Sequence, residues 1–113
     1  HKKLLKPKFD AGIDTLEQNL AGTGAGSWSA PKGGYFISFD AMEGCAKRIQ
    51  QLCKEAGIVM TGAGATYPYG KDPKDSNLRI APSFPPIEEL KLAMEVFCVC
   101  ALKASCEKLL ENK

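Results

Sequence analysis

The stretch Tyr35-Phe36-Ile37-Ser38-Phe39-Asp40 constrains the fold more than any other in the chain. Tyr35, Ile37 and Phe39 alternate with Phe36, Ser38 and Asp40, so a strand here has one apolar face and one mixed face. The apolar face must be covered, and in a chain of 113 residues the cover has to come from helices of the same domain. Three stretches can supply it. Leu5, Phe9, Ile13, Leu16 and Leu20 recur at steps of three and four, which predicts a helix over 7–20 with Pro7 in its first turn. Met42, Ala46, Ile49, Cys53 and Ala56 mark a second helix, started by an Asp40/Glu43 capping box and stopped at Gly57. Ile87, Leu90, Met94, Phe97, Ala101 and Leu109 mark a third, opened by Pro85 and Pro86, with Glu88 and Glu89 suited to its amino-terminal dipole.

The remaining segments read as strands and turns. The glycine run over 22–26 follows a helix and precedes a strand, the reverse of the order in a phosphate-cradling loop, so it is a turn. Further strands are expected over 27–30, 58–60 and around Leu78 and Ile80, with a hairpin turning at Pro31-Lys32-Gly33-Gly34 and a long polar loop over 61–75. The element order is then α-β-β-α-β-β-α. It describes a single α/β domain over 1–113 of two-layer, α+β-like type, with three helices on one face of a small mixed or antiparallel sheet of about four strands.

Composition removes several function classes. Fifteen basic and 13 acidic residues, a formal net charge of +2, are dispersed, so no basic stripe follows a phosphate backbone and nucleic acid is not an expected partner. Lys2, Lys3, Lys6 and Lys8 read as the solvated side of the first helix. The most apolar run, Val96 to Leu102, falls well short of the ~20 residues a bilayer needs, and no signal-peptide pattern is present, so no membrane association is expected. Cys45, Cys53, Cys98, Cys100 and Cys106 include no Cys-x-x-Cys and have only His1 as histidine, so no metal site is expected; they read as reduced thiols in a cytoplasmic protein. A terminal histidine offers no base for Ser-His-Asp or Cys-His catalysis. Ser29-x-x-Lys32 and Ser105-x-x-Lys108 lack the strand-to-helix setting that would expose a nucleophile, and Asp72 and Asp75 read as turn formers. No catalytic residue is expected in this chain. It begins without methionine, directly in a helical pattern, which suggests a piece of a longer protein.

Arg79 is different in kind. It stands between Leu78 and Ile80 on a short strand, and only two arginines occur among the 15 basic residues. A guanidinium there needs an anion, either an internal carboxylate or an anionic ligand. Arg48, on the second helix, reads as solvent-facing. The residues thus leave open a carboxylate-binding module using Arg79 and a structural or dimerising domain in which Arg79 is internally paired.

Pro31-Lys32-Gly33-Gly34-Tyr35-Phe36, Gly57-Ile58-Val59-Met60 and Asn77-Leu78-Arg79-Ile80-Ala81 together resemble the carboxy-terminal small domain of fold-type I pyridoxal-phosphate aminotransferases. The loop Gly64 to Pro73 and the sequel Arg79 to Pro85 look most like the class I branch that includes MocR-like and aspartate-type enzymes. The resemblance covers essentially the whole chain. It implies transfer of an amino group between an amino acid and a 2-oxo acid in a homodimeric parent, with Arg79 matching the family arginine that grips the substrate α-carboxylate. It also implies that the Schiff-base lysine, the aspartate on the pyridine nitrogen and the phosphate ligands of pyridoxal 5′-phosphate lie in a large domain outside this chain, so that the small domain binds no cofactor and is inactive alone.

Overall fold

The computed structural model describes residues 2–29, 36–63, 72–83 and 85–111. Strands β1 (Gly26–Ser29), β2 (Ile37–Ala41), β3 (Thr61–Ala63) and β4 (Asn77–Ile80) form one sheet in the order β1-β2-β4-β3, and every pairing is antiparallel. With helices α1 (Lys2–Leu20), α2 (Ala46–Glu55) and α3 (Ile87–Glu111) the order is α-β-β-α-β-β-α, as the patterning predicts. Ile37 and Phe39 of β2 and Leu78 and Ile80 of β4 are fully buried and join Leu16, Leu20, Ile49, Cys53, Met94 and Phe97 of the helices in one core. The Phe97 ring meets Phe39 edge-on, with centroids 5.1 Å apart. Gly12 lets α1 approach the sheet closely: a Cβ there would lie 3.2 Å from Ile37 Cδ1.

Several boundaries differ from expectation, each for a physical reason. Helix α1 runs back through Pro7 to Lys2; Leu5 falls within it, but its side chain lies outside the described residues, as does the turn over 31–34. The basic run is not all solvated, since Lys8 Nζ donates to the carbonyls of Ser83 at 3.1 Å and Pro85 at 2.9 Å, tying α1 to the link before α3. The Asp40/Glu43 capping box does not form. Asp40 remains in β2, opposite Ser27 and Asn77, and α2 starts at Ala46. Its cap comes from far along the chain: the Asp75 carbonyl accepts the Ala46 N–H at 2.9 Å and Asp75 Oδ1 accepts the Lys47 N–H at 3.0 Å, meeting two of the donors a helix start leaves unpaired. Asp75 reaches them from a left-handed backbone, φ 48°. That turn is organised by Asp72, whose carboxylate accepts the N–H groups of Lys74, Ser76 and Asn77 at 3.1, 2.7 and 2.7 Å. These bonds, that of Asn77 foremost, hold the Asp72 carboxyl below the usual range.

The strand expected over 58–60 also moves. Gly57 (φ 83°) turns the chain at the end of α2, its N–H donating to Lys54 O at 3.0 Å, and the Ile58 N–H donates to Cys53 O at 2.8 Å. This is a Schellman closure, which occupies Ile58 before a strand can begin. Val59 is 69% exposed, and β3 opens at Thr61, inside the stretch expected to be loop. Of the rest of that loop, 64–71 lie outside the described residues and 72–75 form the turn that Asp72 organises. In α3, Leu90, Met94, Phe97 and Ala101 are buried as predicted, but Ile87 and Leu109 in its end turns are exposed. Twenty-five residues make a helix about 37 Å long, whereas four strands are only about 15 Å across, so its ends overrun the core. Cys45, Cys53, Cys98 and Cys100 are buried, Cys106 is exposed, and all five are free thiols. Among the described residues no helix is long and apolar enough to cross a membrane.

Candidate functional site

The register that buries Ile37, Phe39, Leu78 and Ile80 turns the alternate residues to the opposite, helix-free face of the sheet. Ser38 stands opposite Arg79 and Asp40 opposite Asn77, and Gly62 of β3 is opposite Arg79 on its other side. Ser29 and Ser27 of β1 extend the face beyond Ser38 and Asp40. A polar surface results, with one cation near its middle.

Arg79 is half-buried. Its guanidinium carbon lies 3.6 Å from the centroid of the Phe36 ring, so one side of the planar group rests on an aromatic face, and no described residue accepts a hydrogen bond from its N–H edge. Across β3, a Cβ on Gly62 would meet nothing within 4 Å, which leaves room beside the fork. All 13 acidic residues belong to the described part of the chain. Among the described residues the ion pairs they form are Lys6–Asp10, Arg48–Glu107 and Lys108–Glu111, and Arg79 is in none of them. The internally paired arginine that the sequence left open has no partner among the described residues.

Arg48 shows the contrast. Expected to face solvent, it is instead half-buried and forks onto Glu107 of α3, Nε to Oε1 at 2.8 Å and Nη2 to Oε2 at 3.0 Å. The hydrogen bond from Arg48 holds the Glu107 carboxyl below its ordinary value, and Glu107 raises the Arg48 guanidinium in turn. Arg48 clasps two helices together.

The other candidates carry no chemistry in the fold. Ser105 is buried and donates to Ala101 O at 2.8 Å within α3, while Ser29 is exposed and Lys32 lies outside the described residues. Among the described residues no group of three His, Cys, Asp or Glu could hold a metal ion. The described lysines stand on the three helices or in the turn at Lys74, so none shares the sheet face with Arg79. Sequence reasoning singled out Asn77 only as part of the resemblance and missed its bonds, from Nδ2 to Ser38 Oγ at 3.1 Å and Asp40 Oδ1 at 3.0 Å beside Arg79, and it missed the stacking of Phe36. The alternation of Phe36, Ser38 and Asp40 put them on the mixed face, but only the β2–β4 register shows which residues neighbour the arginine.

The sequence and fold of the chain match those of known proteins. The whole chain, residues 1–113, matches the family model described as aspartate amino-transferase. It is 49% identical over 107 residues to the aspartate aminotransferase of Corynebacterium glutamicum, covering 95% of this chain and 25% of that protein. The crystal structure of an aspartate transaminase from the same species superposes with a TM-score of 0.86 at 49% identity, over 92% of this chain and 24% of that one. The α-aminoadipate aminotransferase LysN of Thermus thermophilus, solved in complex with N-(5′-phosphopyridoxyl)-L-leucine, shares the fold at a TM-score of 0.76 and 14% identity, over 93% of this chain and 26% of that one. The chain spans about a quarter of the length of the relatives it matches. Matched along its full length and alike in fold, it belongs to the aspartate amino-transferase family.

Proposed function

We propose that this chain is the carboxy-terminal small domain of a pyridoxal-phosphate-dependent aminotransferase of fold-type I, in the class I branch that includes MocR-like and aspartate-type enzymes. Arg79 binds the α-carboxylate of the amino acid and of the 2-oxo acid. The observation that carries this reading is an arginine held on a polar, helix-free sheet face, stacked on Phe36 at 3.6 Å, with none of the chain's acidic side chains paired to it. A guanidinium fork presents two parallel donors to a carboxylate, which fixes the plane of the substrate as well as its position. Orientation of that kind brings the Cα proton into line with a base and removes part of the entropic barrier.

In the parent enzyme pyridoxal 5′-phosphate supplies the electron sink for amino-group transfer. The described residues do not fit it as holders, because none of the described lysines stands on the Arg79 face. The cofactor's ligands are therefore assigned to the remaining three-quarters of the protein, a large domain against which the open face works, in a cytoplasmic homodimer. By itself the small domain neither binds the cofactor tightly nor transaminates.

Arg79→Lys in the full-length enzyme tests the reading, since lysine keeps the charge and loses the fork. The expected result is a thirtyfold or larger fall in kcat/KM, roughly 2 kcal/mol of transition-state binding, with the melting temperature nearly unchanged. Near-normal kcat/KM in a variant that melts much earlier would show a structural arginine and sink the proposal.

A further inference from the structure

The open sheet face carries a carboxylate of its own. Asp40 is the acidic residue that β1 to β4 present there, and it stands diagonally to Arg79, two residues along β2 from Ser38. Diagonal cross-strand neighbours sit about 7–8 Å apart, within reach of an arginine. An Arg79–Asp40 pair is therefore the contact this register invites, yet the two are not paired. Asp40 Oδ1 instead accepts a hydrogen bond from Asn77 Nδ2 at 3.0 Å, and the same amide nitrogen donates to Ser38 Oγ at 3.1 Å. Asn77 is 5% exposed, a fixed anchor, whereas Asp40 is exposed and has room to swing.

We propose that Asn77 is a positioning residue. By tethering Asp40 it keeps the face's own carboxylate out of the Arg79 fork and leaves the fork open to a ligand carboxylate. This rests on the reading of Arg79 given above. Without the Asn77 amide, Asp40 becomes an intramolecular competitor. Only molecules with a vacant fork then bind substrate, so apparent affinity falls by the vacant fraction. A saturating substrate displaces Asp40, and turnover is unchanged. That split separates competition from a general loosening of the site, which would lower kcat as well.

The test is steady-state kinetics on the full-length enzyme carrying Asn77→Val, a β-branched replacement that suits a strand and has no side-chain donor. An exposed ion pair of ordinary strength raises KM about fivefold, for the amino acid and the 2-oxo acid alike, with kcat within about twofold of wild type. Adding Asp40→Asn to this variant returns both KM values to normal. If Asn77→Val does not fold, Asp40→Glu gives the same reading, since the longer side chain outreaches the amide and raises KM. An unchanged KM in Asn77→Val, or a raised KM that Asp40→Asn does not restore, overturns the proposal. Arg79→Lys is measured in parallel. If it lowers kcat/KM and Asn77→Val leaves KM unchanged, the positioning role alone fails; if it leaves kcat/KM unchanged, the carboxylate site fails and the role of Asn77 with it.

Discussion

The two faces of the four-stranded sheet are built from the same strands by alternate residues, and they do opposite work. On the covered face Ile37, Phe39, Leu78 and Ile80 are each 0% exposed and meet the helices in a continuous apolar layer. On the open face Ser38, Asp40, Asn77 and Arg79 form hydrogen bonds or stack on Phe36, away from the face that the described helices bury. Apolar burial dominates folding free energy, so most of the stability should reside on the first face. Chemistry then has latitude on the second. The same logic separates the two arginines: Arg48 on α2 forks onto Glu107 of α3, while Arg79 on the open sheet face rests on a phenyl ring, which supports it without neutralising it.

The largest expected effect tests the covered face. Phe97 is fully buried and edge-on to Phe39, which in turn lies parallel to Trp28 at 6.2 Å. Phe97→Ala removes that aromatic layer and leaves a cavity, costing about 3–5 kcal/mol. Ser38→Ala on the open face should shift stability by no more than about 0.5 kcal/mol. Urea titrations of the two variants make the comparison directly. Equal losses would mean that the open face contributes to folding as much as the core does.

Much of this division was legible in the sequence, because period-2 alternation over 36–40 and three helical stripes report burial, and burial built both layers. Arg79 also stood out, since an arginine inside a short apolar strand has few explanations. What stayed hidden depends on partners far apart in the chain. The cap of α2 belongs to Asp75, so a local Asp40/Glu43 pattern was misleading; an apolar Ile58-Val59-Met60 looked like a strand although Ile58 closes a helix; and the partner of Arg48 lies on another helix. Neighbours of Arg79 were invisible for the same reason, as register is a property of two strands rather than one.

A smaller effect concerns thiols of the covered layer. Burial pushes the Cys98 thiol up from 9.0 to about 11, and burial raises Cys53 further, with Cys100 beside it adding to the shift. The unfolded chain ionises these thiols near pH 9 while the native state keeps them protonated. Their contribution is therefore complete below pH 9 and is lost at higher pH, for Cys98 as pH rises toward 11 and for Cys53 beyond that. For Cys98 alone the full shift corresponds to roughly 2–3 kcal/mol. Stability measured from pH 8 to 11 should fall on this account, and Cys98→Ala should flatten the slope. At neutral pH a thiol reagent should modify Cys106 at once and the buried four only after unfolding.

The smallest effect is the sharpest test of how the open face supports its arginine. Phe36 precedes β2 and is half-buried, so it contributes little to the core; what it gives Arg79 is a flat surface at 3.6 Å. A cation over an exposed ring gains about 0.5–1 kcal/mol, and part of that is realised as order, since a guanidinium held flat loses less freedom when a carboxylate docks. Phe36→Leu keeps an apolar side chain and removes the π face. In the full-length enzyme it should raise the KM for the amino acid about two- to fivefold, leave the unfolding midpoint nearly unchanged and lose its effect in an Arg79→Lys background. Phe36→Tyr should restore KM, because the ring face is retained. Phe36→Leu as damaging as Arg79→Lys would mean that the ring touches the ligand itself. A KM unchanged by Phe36→Leu would mean that strand geometry alone aims the fork, making the open face as rigid as the covered one and removing the contrast between them.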